Sequence, residues 1–193
     1  MTDTHNTIKA RIRARKLTLS YFYRRIFVLR LANNESLLET IISTSRGLED
    51  VHDTSTDNMD QETGDLAQYL EHTFGESVEE DIDYVASYYF DEWPLETIDM
   101  DYVLRLARGF EEYYPQVAEL VNQHTTSFQF EQMDPMDQAM FVLGYEERKV
   151  LQTPKEVIIN EVVELAKRYG DGGSSKLLHG IIHHLLKDEG GET

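Results

Sequence analysis

The chain has 193 residues, 40% of them apolar and eleven of them tyrosine, enough to bury one core of ordinary size and to exclude global disorder. It contains no cysteine, which removes disulfides, thiol nucleophiles and thiolate zinc sites and fits a reducing compartment. Its formal net charge is −18, but residues 1–32 hold eight Lys or Arg against Asp3 alone, while residues 49–101 hold eighteen Asp or Glu and no cation. Such a chain presents two electrostatic surfaces, so its total charge does not by itself exclude an anionic partner. The N-terminus lacks the apolar run of a signal peptide, and no stretch approaches the roughly 20 apolar residues of a membrane span. These features predict a cytoplasmic protein with no membrane partner.

In chain order, residues 1–7 read as a loose polar tail. From about Ile8 to Leu31, apolar residues at 12, 19, 22, 26 and 29 predict a long amphipathic helix with its basic residues largely on other faces. A second helix is expected from about Glu35 to Arg46, stopping near Gly47. Residues 49–63, polar and acidic, read as a loop or linker. Leu66 to Phe74 and Val78 to Trp93 read as helical, the second limited by Pro94. Further helices are expected near 99–113, 115–130, 134–149 and 154–169, and a last one from Ser174 to about Lys187. No strand-like alternation persists, so the fold class is all-α. The helix at 154–169 has both ends marked: Thr153 as cap, Pro154 at the first helical position, Glu156 completing a capping box, and Gly170 as a left-handed terminator.

The N-terminal cations carry the first functional expectation. Arg11, Arg13, Arg15 and Lys16, followed by Tyr21 and Tyr23, set closely spaced charges beside aromatic rings. Phosphates need the charge, and unstacked bases stack on aromatic or guanidinium planes. The competing reading is a basic helix face that offsets the acidic segment within the same molecule. Other motifs carry less. His179 and His183, four apart with His184 adjacent, have a spacing that suits two metal-bound imidazoles, but no third ligand is evident, and solvated histidines with no metal are expected. Gly170 to Lys176 lacks the strand–turn–helix setting of a phosphate loop and reads as a turn with Ser174 capping the next helix. Carboxylate runs such as Glu79-Glu80-Asp81 and Asp91-Glu92 read as solvated surface. The sharper alternative for this acidic segment is a binding face for a basic protein or a cover for the arginine arm, and the interleaved Tyr84, Tyr88, Tyr89, Phe90 and Trp93 fit a protein interface or a local core. No catalytic residue or cofactor is expected.

One stretch is more specific. Pro154, Val157, Ile159, Asn160, Glu161, Glu164, Leu165, Ala166, Lys167, Tyr169 and Gly170 follow the C-terminal signature of the NusB family, which the chain resembles. Asp137 to Glu146, Ser175 to Ile182, Ala14 to Tyr23 and Asp101 to Phe110 look like further family segments in the same order. The resemblance implies a single NusB-like domain over 1–193, built as two packed small helical bundles of about 7–9 helices. These are an N-terminal subdomain, 8–97, with an acidic helical insertion at about 49–97, and a C-terminal subdomain, 98–187. It implies a non-enzymatic transcription antitermination factor that binds boxA-like RNA with the ribosomal protein NusE and modifies RNA polymerase, notably for ribosomal RNA. The RNA contacts it implies are Arg11, Arg13, Arg15, Lys16, Tyr23 and Lys176. A NusE heterodimer is the implied assembly, with a homodimer as the alternative. Three positions depart from the family pattern: Leu177 replaces an aromatic beside Lys176, His179 replaces an asparagine before Gly180, and Phe141 replaces an arginine, read as a cation lost from another surface. The rival function is a protein-interaction module on the same fold with weakened or lost RNA binding. An RNA methyltransferase is disfavoured, because no glycine-rich strand–turn–helix for a methyl donor is present.

Overall fold

The computed structural model describes residues 2–48, 59–71, 73–75, 77–89, 93–126 and 128–187. Within them the chain forms nine α-helices and no strand: α1 (Thr2–Ala32), α2 (Glu35–Leu48), α3 (Met59–Glu71), α4 (Val78–Tyr89), α5 (Met100–Ala107), α6 (Phe110–His124), α7 (Pro135–Leu151), α8 (Lys155–Tyr169) and α9 (Ser174–Leu185). Short 3-10 turns at Leu95–Thr97 and Phe130–Gln132 lead into α5 and α7. None of the described helices is long and apolar enough to cross a membrane.

Two helices organise the rest. α7 is buried without interruption from Asp137 to Glu147, as expected of a helix whose middle is apolar on every side. Gly144 makes this possible: a Cβ there would stand 3.1–3.2 Å from methyls of Ile158, Val162 and Ile182, so its absence lets α8 and α9 pack directly on α7. α1 is the second organiser, lying against α3, α4, α5 and α7. Its middle, Ala14, Leu17, Leu19, Tyr21, Phe22 and Ile26, joins α5, α6 and α7 in one continuous core, with Phe22 against the ring of Phe110 at 5.1 Å.

Several sequence expectations need correction. α1 begins at Thr2, so residues 2–7 belong to the helix and are not a tail. Ile12, placed on its apolar stripe, is 41% exposed. The loop expected over 49–63 falls mostly outside the described residues, but Met59 onward is already helical, and that helix ends at Glu71 and not at Phe74. The single helix expected over 99–113 breaks at Arg108-Gly109. The Gly109 carbonyl accepts from Glu112 and Tyr113 N–H groups and starts α6, leaving Pro115 in its second turn. At α8, Pro154 occupies the cap position with an extended ψ, no side chain caps the helix, and Gly170 is extended and not left-handed. The left-handed residue is Gln152, with φ 55°, which closes α7 instead. Ser174 does not cap α9 but is its first residue, and Asp171 holds the turn before it, its Oδ1 accepting from the N–H groups of Gly173 at 2.7 Å and Ser174 at 3.0 Å.

Phe141 is fully buried among these helices, so the reading that it removes a surface cation does not hold. α4 also differs from expectation: Ile82, Val85 and Ala86 sit in the main core. This part of the acidic segment is therefore structural, whatever its outer face does. Tyr89 and Phe90 side chains, read as interface or core aromatics, lie outside the described residues, while Tyr84 and Tyr88 are exposed and stack on each other.

Candidate nucleic-acid interface

A helix repeats its faces every three or four residues, and that spacing sorts the N-terminal cations into groups with different environments. Lys9, Arg13, Lys16, Ser20, Tyr23 and Phe27, at intervals of four, three, four, three and four, form one stripe of exposed or half-buried side chains along α1. It spans about 27 Å from Lys9 to Phe27 at the helical rise. The stripe is basic at its N-terminal end and aromatic at the other, where the rings of Tyr23 and Phe27 stack at 5.8 Å. Neither Arg13 nor Lys16 pairs with a carboxylate among the described residues. The Lys16 ammonium is held below its ordinary pKa by partial burial and then by the charge of Arg168, so two cations from α1 and α8 crowd each other here.

Arg11 and Arg15 lie on the neighbouring face, both over the ring of Tyr102. Arg11 bonds Asp99, the residue that caps α5, at 3.0 Å from its Nε and 2.9 Å from its Nη2. Arg15 is buried. Its Nε donates to Glu147 Oε1 at 2.6 Å and its Nη1 to Glu161 Oε2 at 2.8 Å, while the Tyr102 hydroxyl donates to the same Glu147 carboxylate. Burial alone would lower the Arg15 pKa, but the hydrogen bond and charge of Glu147 outweigh it and hold the guanidinium protonated. Arg15, expected among the RNA contacts, is buried here and joins α1 to α7 and α8. The same internal role falls to Arg24 and Arg25. They hold Asp81, the Thr73 carbonyl and Glu111, with their guanidinium groups over Phe74. For these four arginines the intramolecular reading, cations offsetting acidic neighbours, describes the contacts well.

Of the remaining expected positions, Tyr23 is half-buried against the core and part of the stripe, and Lys176 is exposed in the first turn of α9. Leu177 beside it packs on the core. His179 and His183 are exposed with rings 5.2 Å apart, and no third metal ligand gathers with them among the described residues. The turn at Gly170 to Lys176 offers nothing to a phosphate, because Asp171 already occupies the amides of Gly173 and Ser174. Trp93, read from sequence as an interface or core aromatic, is approached by both Arg13 and Lys16, at 5.4 and 5.6 Å from its ring centroid, a contact the sequence did not reveal. Nor did the sequence reveal Glu147 as the partner of Arg15. The helical period alone separates Arg13 and Lys16 from Arg11 and Arg15, but nothing local marks a partner 132 residues away.

Fold and site together define a class: a small all-helical body built around one long basic helix, with a cation–aromatic stripe on its outer side. A model of the NusB family matches residues 65–187. The chain belongs to the NusB family. Similar curated relatives include the transcription antitermination protein NusB of Clostridium kluyveri, 24% identical over 180 residues covering 93% of this chain and 96% of the relative. Those of Methylacidiphilum infernorum and Helicobacter pylori are 31% and 30% identical over 103 and 112 residues. They cover 53% and 58% of this chain, and 72% and 81% of the relatives.

Proposed function

We propose that the chain is a non-enzymatic transcription antitermination factor. In this reading it binds boxA-like RNA together with the ribosomal protein NusE and modifies RNA polymerase, notably during ribosomal RNA transcription. Family membership supports the general role. The observation that carries RNA binding is the α1 stripe, in which cations without described carboxylate partners lead into the stacked rings of half-buried Tyr23 and exposed Phe27. Lys9, Arg13 and Lys16 hold phosphates, and Tyr23 with Phe27 offers faces to unstacked bases. Lys176 adds charge from α9. Arg11 and Arg15 act one step back, fixing α1 against α5, α7 and α8 so that the stripe keeps its place. The acidic remainder faces protein partners, with a NusE heterodimer as the working assembly and a homodimer as the alternative. Subdomains at 8–97 and 98–187 share α1 in this arrangement.

The test is fluorescence anisotropy of a boxA-like RNA with the purified chain, with and without NusE, across a salt series. Binding that weakens with salt, strengthens with NusE and falls in an Arg13→Ala/Lys16→Ala variant supports the proposal. One observation favours a second reading, a protein-interaction module: Arg11, Arg15, Arg24 and Arg25, half of the eight N-terminal cations, are committed to internal carboxylates. No RNA binding in either condition, from a chain that still pairs with NusE, selects that reading.

A further inference from the structure

Trp93 is the chain's only tryptophan, and it comes immediately before Pro94, where the chain turns toward α5. It is half-buried against the core, which holds the ring in place. Arg13 and Lys16, one turn apart on α1, converge on that ring. An indole is the best aromatic partner for a cation, so the three groups order one another before any ligand arrives. Among the described residues no carboxylate pairs with either cation, and Arg168 adds further positive charge near Lys16. Toward the Lys9 end of the stripe both signs of charge are present: Glu96 and Asp99 line the cleft that Lys9 and Arg13 share. The neighbouring charge that Lys16 meets is positive, from Arg168, which favours a polyanion where Lys16 approaches Trp93. A fixed aromatic beside unsatisfied cations suits single-stranded nucleic acid better than an acidic peptide, because each nucleotide supplies both a flat ring and a phosphate.

Resting on the RNA-binding reading above, we propose that Trp93 is a base-stacking residue of the RNA interface, with Arg13 and Lys16 holding the phosphates that flank the stacked nucleotide. The segment that precedes α5, which family motifs do not mark, thereby supplies an aromatic contact beside the stripe. Trp93 is a binding residue in this proposal, and Arg13 and Lys16 acquire their orientation partly from it.

Because no other indole is present, tryptophan emission reports this site directly. The experiment titrates the full chain with a boxA-like RNA and, separately, with inorganic polyphosphate of matched charge, alone and with NusE. A Trp93→Phe variant serves to subtract any emission from NusE. Quenching of Trp93 by RNA and not by polyphosphate is expected. Trp93→Leu should weaken RNA binding about tenfold with an unchanged salt slope, as loss of one stacked base predicts, while Trp93→Phe retains most affinity. Arg13→Ala should instead lower the salt slope by about 0.7. RNA that binds with a cation-dependent salt slope, but leaves Trp93 emission unchanged and binds Trp93→Leu as tightly as wild type, overturns this proposal and leaves RNA binding intact. Equal quenching by polyphosphate, with Trp93→Leu still binding normally, overturns it in favour of charge alone. No RNA binding under any condition removes the reading on which it rests and the proposal with it. The emission measurement uses the unaltered chain, so it stands even if Trp93→Leu fails to fold.

Discussion

Glu146 and Glu147 are neighbours on α7, both buried, and they meet opposite electrostatic surroundings. Glu147 receives Arg15 and the Tyr102 hydroxyl. Glu146 receives no hydrogen bond at either oxygen from the described residues, and lies where a Cβ at Gly109 would come within 2.9 Å of it. Burial, and then the charge of Glu112, push its pKa up to about 9. The folded chain therefore keeps a proton at Glu146 between its ordinary carboxylate pKa and about 9, whereas the unfolded chain releases it. Stability contributed by that proton is present at acid pH and is lost as pH rises through this window, by at most about 1.4 kcal/mol per pH unit. Glu146→Gln should flatten the slope and stabilise the fold at pH 8 relative to wild type, read as the difference between their urea-unfolding free energies at pH 5 and pH 8. Arg15→Ala acts in the other direction. It leaves Glu147 buried without its cation and should cost about 3–5 kcal/mol, visible as a lowered Tm in the absence of any RNA. A variant that melts like wild type would show that Arg15 does not bind α1 to α7.

At the scale of elements, α1 combines two roles by turning different faces to different neighbours, and α4 ties the acidic segment into the core. Removal of residues 49–97 would take Ile82, Val85 and Ala86 with it, so the deletion should abolish cooperative thermal unfolding and cannot serve as a simple uncovering of the arginine arm. Ile82→Ala, which leaves the segment's charge untouched, should cost about 2–5 kcal/mol by the cavity it opens. A cooperative melt of the deletion near the wild-type temperature would mean that α4 is dispensable. The helices themselves were legible because their apolar periods are clear, and the helix expected near 134–149 is found as α7 at Pro135–Leu151. The break at Gly109 was not read from the sequence, and the distant Glu146 that would crowd a Cβ there is brought up only by folding. Nor could the pattern around Thr153 reveal that Pro154 itself takes the cap position. The candidate site divides in the same way. The basic run and Tyr23 were visible as residue types at a spacing, whereas the commitment of Arg15 to Glu147 and Glu161, and the approach of Trp93, depend on segments brought together only by folding.

For the whole molecule, the uneven charge decides how an RNA strand can be held by a chain whose net charge is −18. At about 0.15 M ionic strength the screening length is roughly 8 Å, so acidic residues far from the stripe exert little repulsion at Arg13 and Lys16. Affinity in that regime depends on local contacts, and each phosphate neutralised on a single strand contributes about −0.7 to the slope of log K against log salt. Lys9, Arg13 and Lys16 together predict a slope of about −2, and Arg13→Ala/Lys16→Ala should reduce its magnitude by about 1.4. Near 0.01 M salt the screening length grows to roughly 30 Å, comparable with the molecule, and the acidic residues then oppose the strand as well. The plot should flatten below about 0.03 M salt, where added repulsion offsets the stronger contacts. A line that stays straight down to 0.01 M, with the slope unchanged in the double variant, would place the RNA contacts on some surface other than α1.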